Sequence, residues 1–366
     1  NKNFKVNLID KNNHFLKTIE QGTPPFLEKG AKKLLKKCLK KNFLYTHLDY
    51  EPIKKSKFII ICIGTPIDQN LKPKTKEFLD FFYFLKKLLN KSQIVIIRSS
   101  IFPGIFNKVC KILNKKNGNI VYCPERIVQG KAIEELPKLP QIIAGTNKKS
   151  IFLTKNLFKK IVAKIIVTSV LEAELIKLFS NANRYVNFSI ANQLYMICKE
   201  NDLNFDKVRK IMRDGYERNA NLPTAGFTAG PCLLKDTMQL SSFYKNKFSL
   251  GHTAMKINEN IPKFLVSDLQ KKYNLKSKVI GILGLAFKAE TDDTRDSLSL
   301  KLVKYLKKKK LKVLQSDEYY RSASCITKEN LIKKSDIIII AAPHEKYKKI
   351  TFPKSKIVVD IWGIKK

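Results

Sequence analysis

The sequence predicts an α/β chain in which two parallel-sheet domains are joined by a middle domain built on long helices. Three observations carry this. Up to about residue 165, short runs rich in Ile, Val and Phe alternate with amphipathic, Lys-faced stretches, the βαβ rhythm of a parallel sheet. Residues 170–200 then hold Leu, Ile, Phe and Val at helical spacing without Gly or Pro, and beyond Lys276 the alternation of strand and helix returns. A length of 366 residues accommodates two or three domains at about 100 to 200 residues each.

In chain order, strands are predicted at Lys5–Asp10, Phe58–Ile63, Gln93–Arg98 and Asn119–Cys123, each a β-rich apolar run between helical stretches. One long helix follows over Val170–Glu200. A Gly- and Pro-rich loop at Leu222–Pro231 separates it from a second long helical pattern at about Gly251–Tyr273. Four more strands are predicted at Lys278–Leu283, Leu311–Leu314, Asp336–Ile340 and Lys356–Asp360. The expected domains are therefore residues 1–165, 166–275 and 276–366, with a ligand cleft at the carboxyl ends of the two sheets.

Composition excludes several classes. With 44% hydrophobic residues the chain is not disordered, and its longest apolar runs, such as Phe58–Ile63 and Ile337–Pro343, fall far short of the roughly 20 residues that span a bilayer. No membrane association is expected. The seven cysteines are scattered, with no CxxC and no His at metal-ligand spacing, which points to a reduced, cytoplasmic chain without a metal site. The chain opens on Asn1-Lys2-Asn3, without a methionine or secretory signal, and runs almost at once into a strand, so an N-terminal piece is expected to be missing. The formal charge of +40 raises nucleic acid or anionic surfaces as partners. Only eight of the 71 basic residues are Arg, however, and the lysines are spread along the whole chain, so no nucleic acid is expected as the main partner.

The sharpest chemical feature is the stretch from Gly226 through Gly230-Pro231-Cys232 to Asp236. A Gly-Pro turn before a helix puts Cys232 at a helix N-terminus, where free N–H groups and the dipole favour thiolate. Asp236, four residues on, shares its helix face and is placed to orient a water or exchange a proton. The plainer alternative is a structural cysteine with an ordinary first-turn acid. Lys177 and Asn181, at i and i+4 on the long helix, aim two donors the same way, as stabilising an oxyanion requires; a solvated polar stripe is the alternative.

Together these motifs resemble the nucleotide-sugar dehydrogenases, the family that contains UDP-glucose and UDP-N-acetylmannosamine dehydrogenases, collinearly over nearly the whole chain. The resemblance implies two Rossmann-like domains about the helical middle, and makes Cys232 the covalent nucleophile, Asp236 its polar helper, and Lys177 and Asn181 charge stabilisers. Ile63-Gly64-Thr65-Pro66 is similar to the strand-end Thr-Pro that lines the dinucleotide site, and Arg98-Ser99-Ser100-Ile101-Phe102-Pro103-Gly104 to the family's Ser-Thr-Val-x-Pro-Gly loop. Thr65, Pro66, Ser99 and Ser100 are thereby implied in cofactor binding, with Ser100 also catalytic. Cys123-Pro124-Glu125-Arg126 is similar to the Pro-Glu segment whose glutamate sits beside the reacting carbon, implying Glu125 in catalysis and Glu125 with Arg126 in substrate binding. Phe287, Lys288 and Arg295, in the segments 284–288 and 292–297, are similar to loops that hold the nucleotide-sugar diphosphate.

The chain departs from the family in having no GxGxxG turn and in starting at what resembles the second strand, whose terminal Asp10 is placed to bond ribose hydroxyls of NAD; a turn or helix cap is the plainer reading. Gln129 stands where the glucose branch has a second glutamate, and Ser100 where the family usually has threonine. The resemblance implies two-step, NAD-dependent oxidation of a UDP-sugar C6 alcohol through a thiohemiacetal and a thioester on Cys232, in a homodimer. Glu125-Arg126, the Ala-Gly-Pro-Cys form of the cysteine loop and Val359-Asp360-Ile361-Trp362-Gly363 are closer to the UDP-N-acetylhexosamine branch, which favours UDP-N-acetylmannosamine over UDP-glucose. A non-catalytic remnant or basic binding protein is the competing expectation.

Overall fold

The computed structural model of the chain describes residues 4–68, 71–114, 118–228 and 230–365. Its contacts divide it into two compact units, one running to Ser180 and including Ser242–Tyr244, the other holding Asn181–Ser241 and Lys245 onward.

The first unit runs β1 (Val6–Ile9), α1 (Asn13–Glu20), α2 (Ala31–Lys40), β2 (Leu44–His47), α3 (Pro52–Lys55), β3 (Phe58–Ile61), α4 (Lys76–Leu88), β4 (Ile94–Ile97), α5 (Ile105–Leu113), β5 (Ile120–Tyr122), α6 (Ala132–Glu135), β6 (Gln141–Gly145), α7 (Lys148–Phe158) and β7 (Ile165–Val167). The central strands β4 and β5 are buried at every residue, as continuous Ile/Val runs require when helices cover both faces. Phe78, Phe82 and Leu85 on one face of α4 pack with Ile105, Phe106 and Val109 of α5 over Val95 and Ile97. Two features differ from the sequence expectation. β1 and β2 form a separate two-stranded sheet, and the five-stranded sheet, in the order β3-β4-β5-β6-β7, contains an antiparallel pair, β5 with β6. The antiparallel pair brings β5 back onto β6 across a loop and the short helix α6, a choice of direction that periodicity does not encode.

The long helix α8 occupies Val170–Glu200, the predicted span, because its 31 residues contain no breaker. The second unit continues with α9 (Phe205–Arg213), α10 (Leu233–Phe243), α11 (Ser249–Lys272), β8 (Val279–Leu283), α12 (Leu298–Lys308), β9 (Lys312–Ser316), α13 (Lys328–Lys334), β10 (Ile337–Ile340), α14 (Glu345–Lys348) and β11 (Ile357–Asp360). Its four strands are all parallel, in the order β11-β10-β8-β9. Ile261, Leu265 and Leu269 of α11 join Leu298, Leu302 and Leu306 of α12 in one core with Ile280, Ile282, Ile337 and Ile339 from the sheet. Among the described residues no helix is long and apolar enough to cross a membrane.

Candidate functional site

Cys232 immediately precedes α10, and its carbonyl accepts the Asp236 amide at 2.9 Å, the first bond of that helix. The residue is exposed. Asp236 is fully buried one turn on, and its carboxylate is engaged on both sides: Asn181 Nδ2 donates to Oδ2 at 2.5 Å, and Lys235 Nζ stands 3.2 Å from Oδ1. The two polar pairs picked out from spacing thus meet through Asn181 and Asp236. Lys177, one turn before Asn181 on α8, is buried as well. Among the described residues most lysines are more exposed than this one, as long cationic side chains usually are.

The loop ahead of Cys232 is itself buried and braced. Gly226 N–H donates to Asn192 Oδ1 at 2.8 Å, Asn192 donates to Asn258 Oδ1 at 2.8 Å, and Asn258 donates to the Tyr185 carbonyl at 3.1 Å, a chain that ties the loop to α8 and α11. A side chain at Gly226 would strike the Trp362 ring, its Cβ landing 2.3 Å from the nearest ring atom. Gly230 adopts φ +102°, and a Cβ there would lie 2.4 Å from the Phe287 ring, so the cysteine loop and the 284–288 loop touch. Ala229, part of the predicted cysteine-loop form, lies outside the described residues.

Arg295 joins the same neighbourhood. Hydrogen bonding to Asp293 first, then the charges of Asp293 and Cys232, hold its guanidinium above its ordinary value against the cost of desolvation. Its Nε donates to Asp293 Oδ1 at 3.0 Å and its Nη2 to Oδ2 at 2.6 Å, a two-point grip on a carboxylate of its own loop. Phe287 and Lys288 are half-buried, and Phe287 N–H is held by the Asp293 carbonyl at 3.0 Å. Beneath them Asp317, at the end of β9, accepts the amides of Leu285 at 2.5 Å and Ala286 at 3.0 Å, while His344 Nε2 lies 3.3 Å from its Oδ2.

In the first unit the predicted cofactor residues other than Asp10 lie in the loops that follow β3 and β4. Ser99 Oγ donates to the Ile63 carbonyl at 2.7 Å, and the Thr65 hydroxyl donates to the Ser100 carbonyl, stitching the two strand-end loops together beside Pro66. Glu174 on α8 accepts the amides of Gly104 at 2.9 Å and Phe106 at 3.2 Å, a carboxylate closing the N-terminus of α5. Burial pushes Glu174 up, with those two backbone bonds pulling the other way. Asp10 stands on the separate two-stranded sheet, where Oδ1 accepts the Asn12 amide at 2.8 Å; in this structure it makes the turn of the plainer reading. Glu125 pairs with Arg98 and accepts the amides of Arg126 at 2.7 Å and Ile127 at 3.0 Å, while Arg126 Nη2 donates to the Pro140 carbonyl at 2.6 Å.

Sequence reasoning missed Lys235, Asn192, Asn258, Glu174, Arg98 and Asp317. Lys235 pairs with its immediate neighbour Asp236, and the others act through partners far off in sequence or through the backbone; no local spacing announces either.

Residues 1–162 match the NAD binding domain of the UDP-glucose/GDP-mannose dehydrogenase family, residues 171–260 its central domain and residues 281–366 its UDP binding domain. The chain belongs to that family. It is therefore an enzyme, an NAD-dependent nucleotide-sugar dehydrogenase. It is 28% identical to the UDP-N-acetyl-D-mannosamine dehydrogenase of Pyrococcus horikoshii over 96% of this chain and 88% of the relative. A solved structure of UDP-D-ManNAc dehydrogenase from that organism matches with a TM-score of 0.90, covering 100% of this chain and 91% of that one. A UDP-glucose dehydrogenase from Pyrobaculum islandicum, 22% identical, shares the fold at a TM-score of 0.90 over 99% of this chain and 89% of that one.

NAD fits the residues present at the strand ends. Gly64 and Gly104 each face open space where a side chain would project, and the exposed Asp10 carboxylate has the chemistry to bond vicinal ribose hydroxyls. The serine and threonine hydroxyls shape this loop pair by bonding backbone carbonyls.

Proposed function

We propose that this dehydrogenase oxidises the C6 alcohol of a UDP-sugar to the uronate in two steps at Cys232, with UDP-N-acetylmannosamine as substrate ahead of UDP-glucose. The single observation behind this is the bond from Asn181 to Asp236, which joins a polar residue of each helix beside an exposed cysteine. The names of the relatives favour the N-acetylmannosamine branch.

NAD, when bound, accepts the hydride in each oxidation. Cys232 adds through sulfur to the intermediate aldehyde, and the thiohemiacetal holds the substrate between the two oxidations; the thioester that follows is hydrolysed to the acid. Lys177 supplies a positive charge and Asn181 an amide N–H to developing oxyanion character, and Asp236 fixes Asn181. Glu125, as the carboxylate beside the reacting carbon, and Asp236 manage water and protons, and Ser100 completes the proposed catalytic set. Phe287, Lys288, Arg295 and Arg126 bind the sugar nucleotide, the cations taking its phosphate oxygens. Thr65, Pro66, Ser99, Ser100 and Asp10 hold NAD.

The proposed domains are residues 1–165, 166–275 and 276–366, and the proposed location is the cytoplasm. A homodimer is proposed through the helical middle, where α8 exposes Leu171, Phe179, Ile190 and Ile197. Light scattering on the purified chain reads its mass directly.

The deciding experiment incubates the enzyme with NAD and each UDP-sugar and counts NADH against uronate. Two NADH per uronate, with UDP-N-acetylmannosamine turned over faster, is the expected result. One NADH per product with free aldehyde accumulating sinks the cysteine mechanism, and faster turnover of UDP-glucose reverses the substrate assignment. No NADH with either sugar favours the binding-protein reading.

A further inference from the structure

We propose that Arg98 is a positioning residue for the oxidation, a buried guanidinium that fixes the Glu125 carboxylate. The inference rests on the proposed reading of Glu125 as the carboxylate beside the reacting carbon.

Arg98 follows directly on β4, at the carboxyl end of a parallel sheet. Its backbone N–H donates to the Ile61 carbonyl at 2.9 Å, extending the pairing with β3 by one residue. Its side chain does not reach solvent as a strand-end arginine ordinarily would; only 10% of it is exposed. The guanidinium lies over the Phe158 ring, 5.0 Å from the centroid, which supplies a flat apolar floor. From there the fork divides. Nη1 donates to Gln141 Oε1 at 2.9 Å, and Nη2 pairs with Glu125 Oε2. Gln141 is buried in turn and held by the Ile142 carbonyl at 2.8 Å, so the neutral arm of the fork is anchored to β6.

The other end is as fully specified. Glu125 Oε1 accepts two successive backbone amides, Arg126 at 2.7 Å and Ile127 at 3.0 Å, while Oε2 takes the guanidinium. Three donors on two oxygens leave the carboxylate one orientation, and 30% of the side chain is still exposed to present it. A lysine would deliver the charge but not the fork: one ammonium cannot reproduce the planar geometry that spans Gln141 and Glu125 while stacking on a ring. The cost of desolvating a guanidinium makes such a pair a poor device for stability alone. Its worth lies in holding a reacting group still, where misplacement by about 1 Å costs on the order of 100-fold in rate.

The test uses the full chain with Arg98→Met, Arg98→Lys, Glu125→Gln and the double variant Arg98→Met/Glu125→Gln. Steady-state kinetics with NAD and UDP-N-acetylmannosamine are expected to show kcat for Arg98→Met down by about 10- to 100-fold, with both KM values within about threefold of the parent. Arg98→Lys should lie between parent and Met, and the double variant should be no slower than the slower single one. Urea unfolding of the parent, Arg98→Met, Glu125→Gln and the double variant provides a second cycle that needs no turnover, in which the two single substitutions are expected to be non-additive by at least about tenfold in the unfolding constant. Parent-like kcat in Arg98→Met, a loss confined to KM, or multiplication of the two single effects overturns the proposal. If Arg98→Met fails to fold, Arg98→Lys is judged by the same criteria. A parent that reduces no NAD with either UDP-sugar overturns the proposed function and the catalytic half of this one, and additivity in the unfolding cycle overturns the clamp itself.

Discussion

The side-chain amide of Asn181 donates to the buried Asp236 carboxylate over 2.5 Å, joining α8 to the helix that begins at Cys232. The residues lie 55 positions apart in the chain, and the bond ties the first turn of α10 to α8. With Asp236 turned inward, Cys232 at the helix entry is left exposed.

Replacing Asn181 tests that arrangement. In Asn181→Ala the Asp236 carboxylate loses a donor while remaining buried, which costs about 1 to 3 kcal/mol. Asn181→Asp should cost more at pH 7, because two carboxylates would meet where one amide had bonded. Urea unfolding midpoints should fall in the order parent, Ala, Asp; an Asp variant as stable as the parent would show that the bond does not form.

Gly230→Ala should damage substrate binding more than folding. The new methyl would sit 2.4 Å from the Phe287 ring on a backbone at φ +102°, so the ring must move. Calorimetric titration is expected to show UDP-sugar affinity reduced by about tenfold or more, roughly 1.4 kcal/mol, with NAD affinity unchanged. Adding Phe287→Ala should not restore it, since the ring is itself part of the proposed site. Parent affinity in Gly230→Ala would remove Phe287 from that site.

How much of this could be read in advance depends on the kind of interaction. α8 was legible because 31 residues without a breaker admit little else, and the buried strands because continuous Ile and Val runs of that length do the same. β2 and β7 escaped because Leu44–His47 and Ile165–Val167 are short and half-exposed, so neither period stands out. β6 (Gln141–Gly145) was not predicted as a strand either, and its antiparallel pairing with β5 is a property of the path between them. Among the candidate residues, Cys232 and Asp236 stood out by their four-residue spacing at the start of one helix. Arg98 did not, since a single arginine at a strand end carries no period, and only the fold brings Gln141, Glu125 and Phe158 around it.

Cysteine chemistry should discriminate sharply among the seven thiols. Burial pushes Cys110 and Cys123 up to about 12, so at pH 8 both remain thiols rather than nucleophilic thiolates. Cys62, though exposed as a residue, is also raised by desolvation, with Arg98 pulling it only partly back. Brief iodoacetamide treatment at pH 8 followed by peptide mass analysis should label Cys232 well before Cys110 and Cys123, and a bound UDP-sugar should slow that labelling. Equal labelling of Cys123 and Cys232 would contradict both the burial of one and the exposure of the other.

Acid should loosen the second unit through Asp317. Burial alone would raise this carboxyl, but the hydrogen bond from His344 and the amides of Tyr320 and Leu285 outweigh it and hold Asp317 down at about 2. Because the folded value lies below the unfolded value of about 3.9, the native state binds the proton less readily than the unfolded chain. The resulting stability, on the order of 2 kcal/mol, is complete above about pH 5 and is lost as pH falls toward 2. Asp317→Asn removes the titrating group and weakens the staple that joins the end of β9 to the turn at Leu285 and Ala286. The variant should be less stable than the parent at pH 7, and the gap should close as pH drops from 5 to 2. Guanidinium unfolding at half-unit steps across that window reads the difference directly, and a gap independent of pH would mean that Asp317 supports the turn by shape alone.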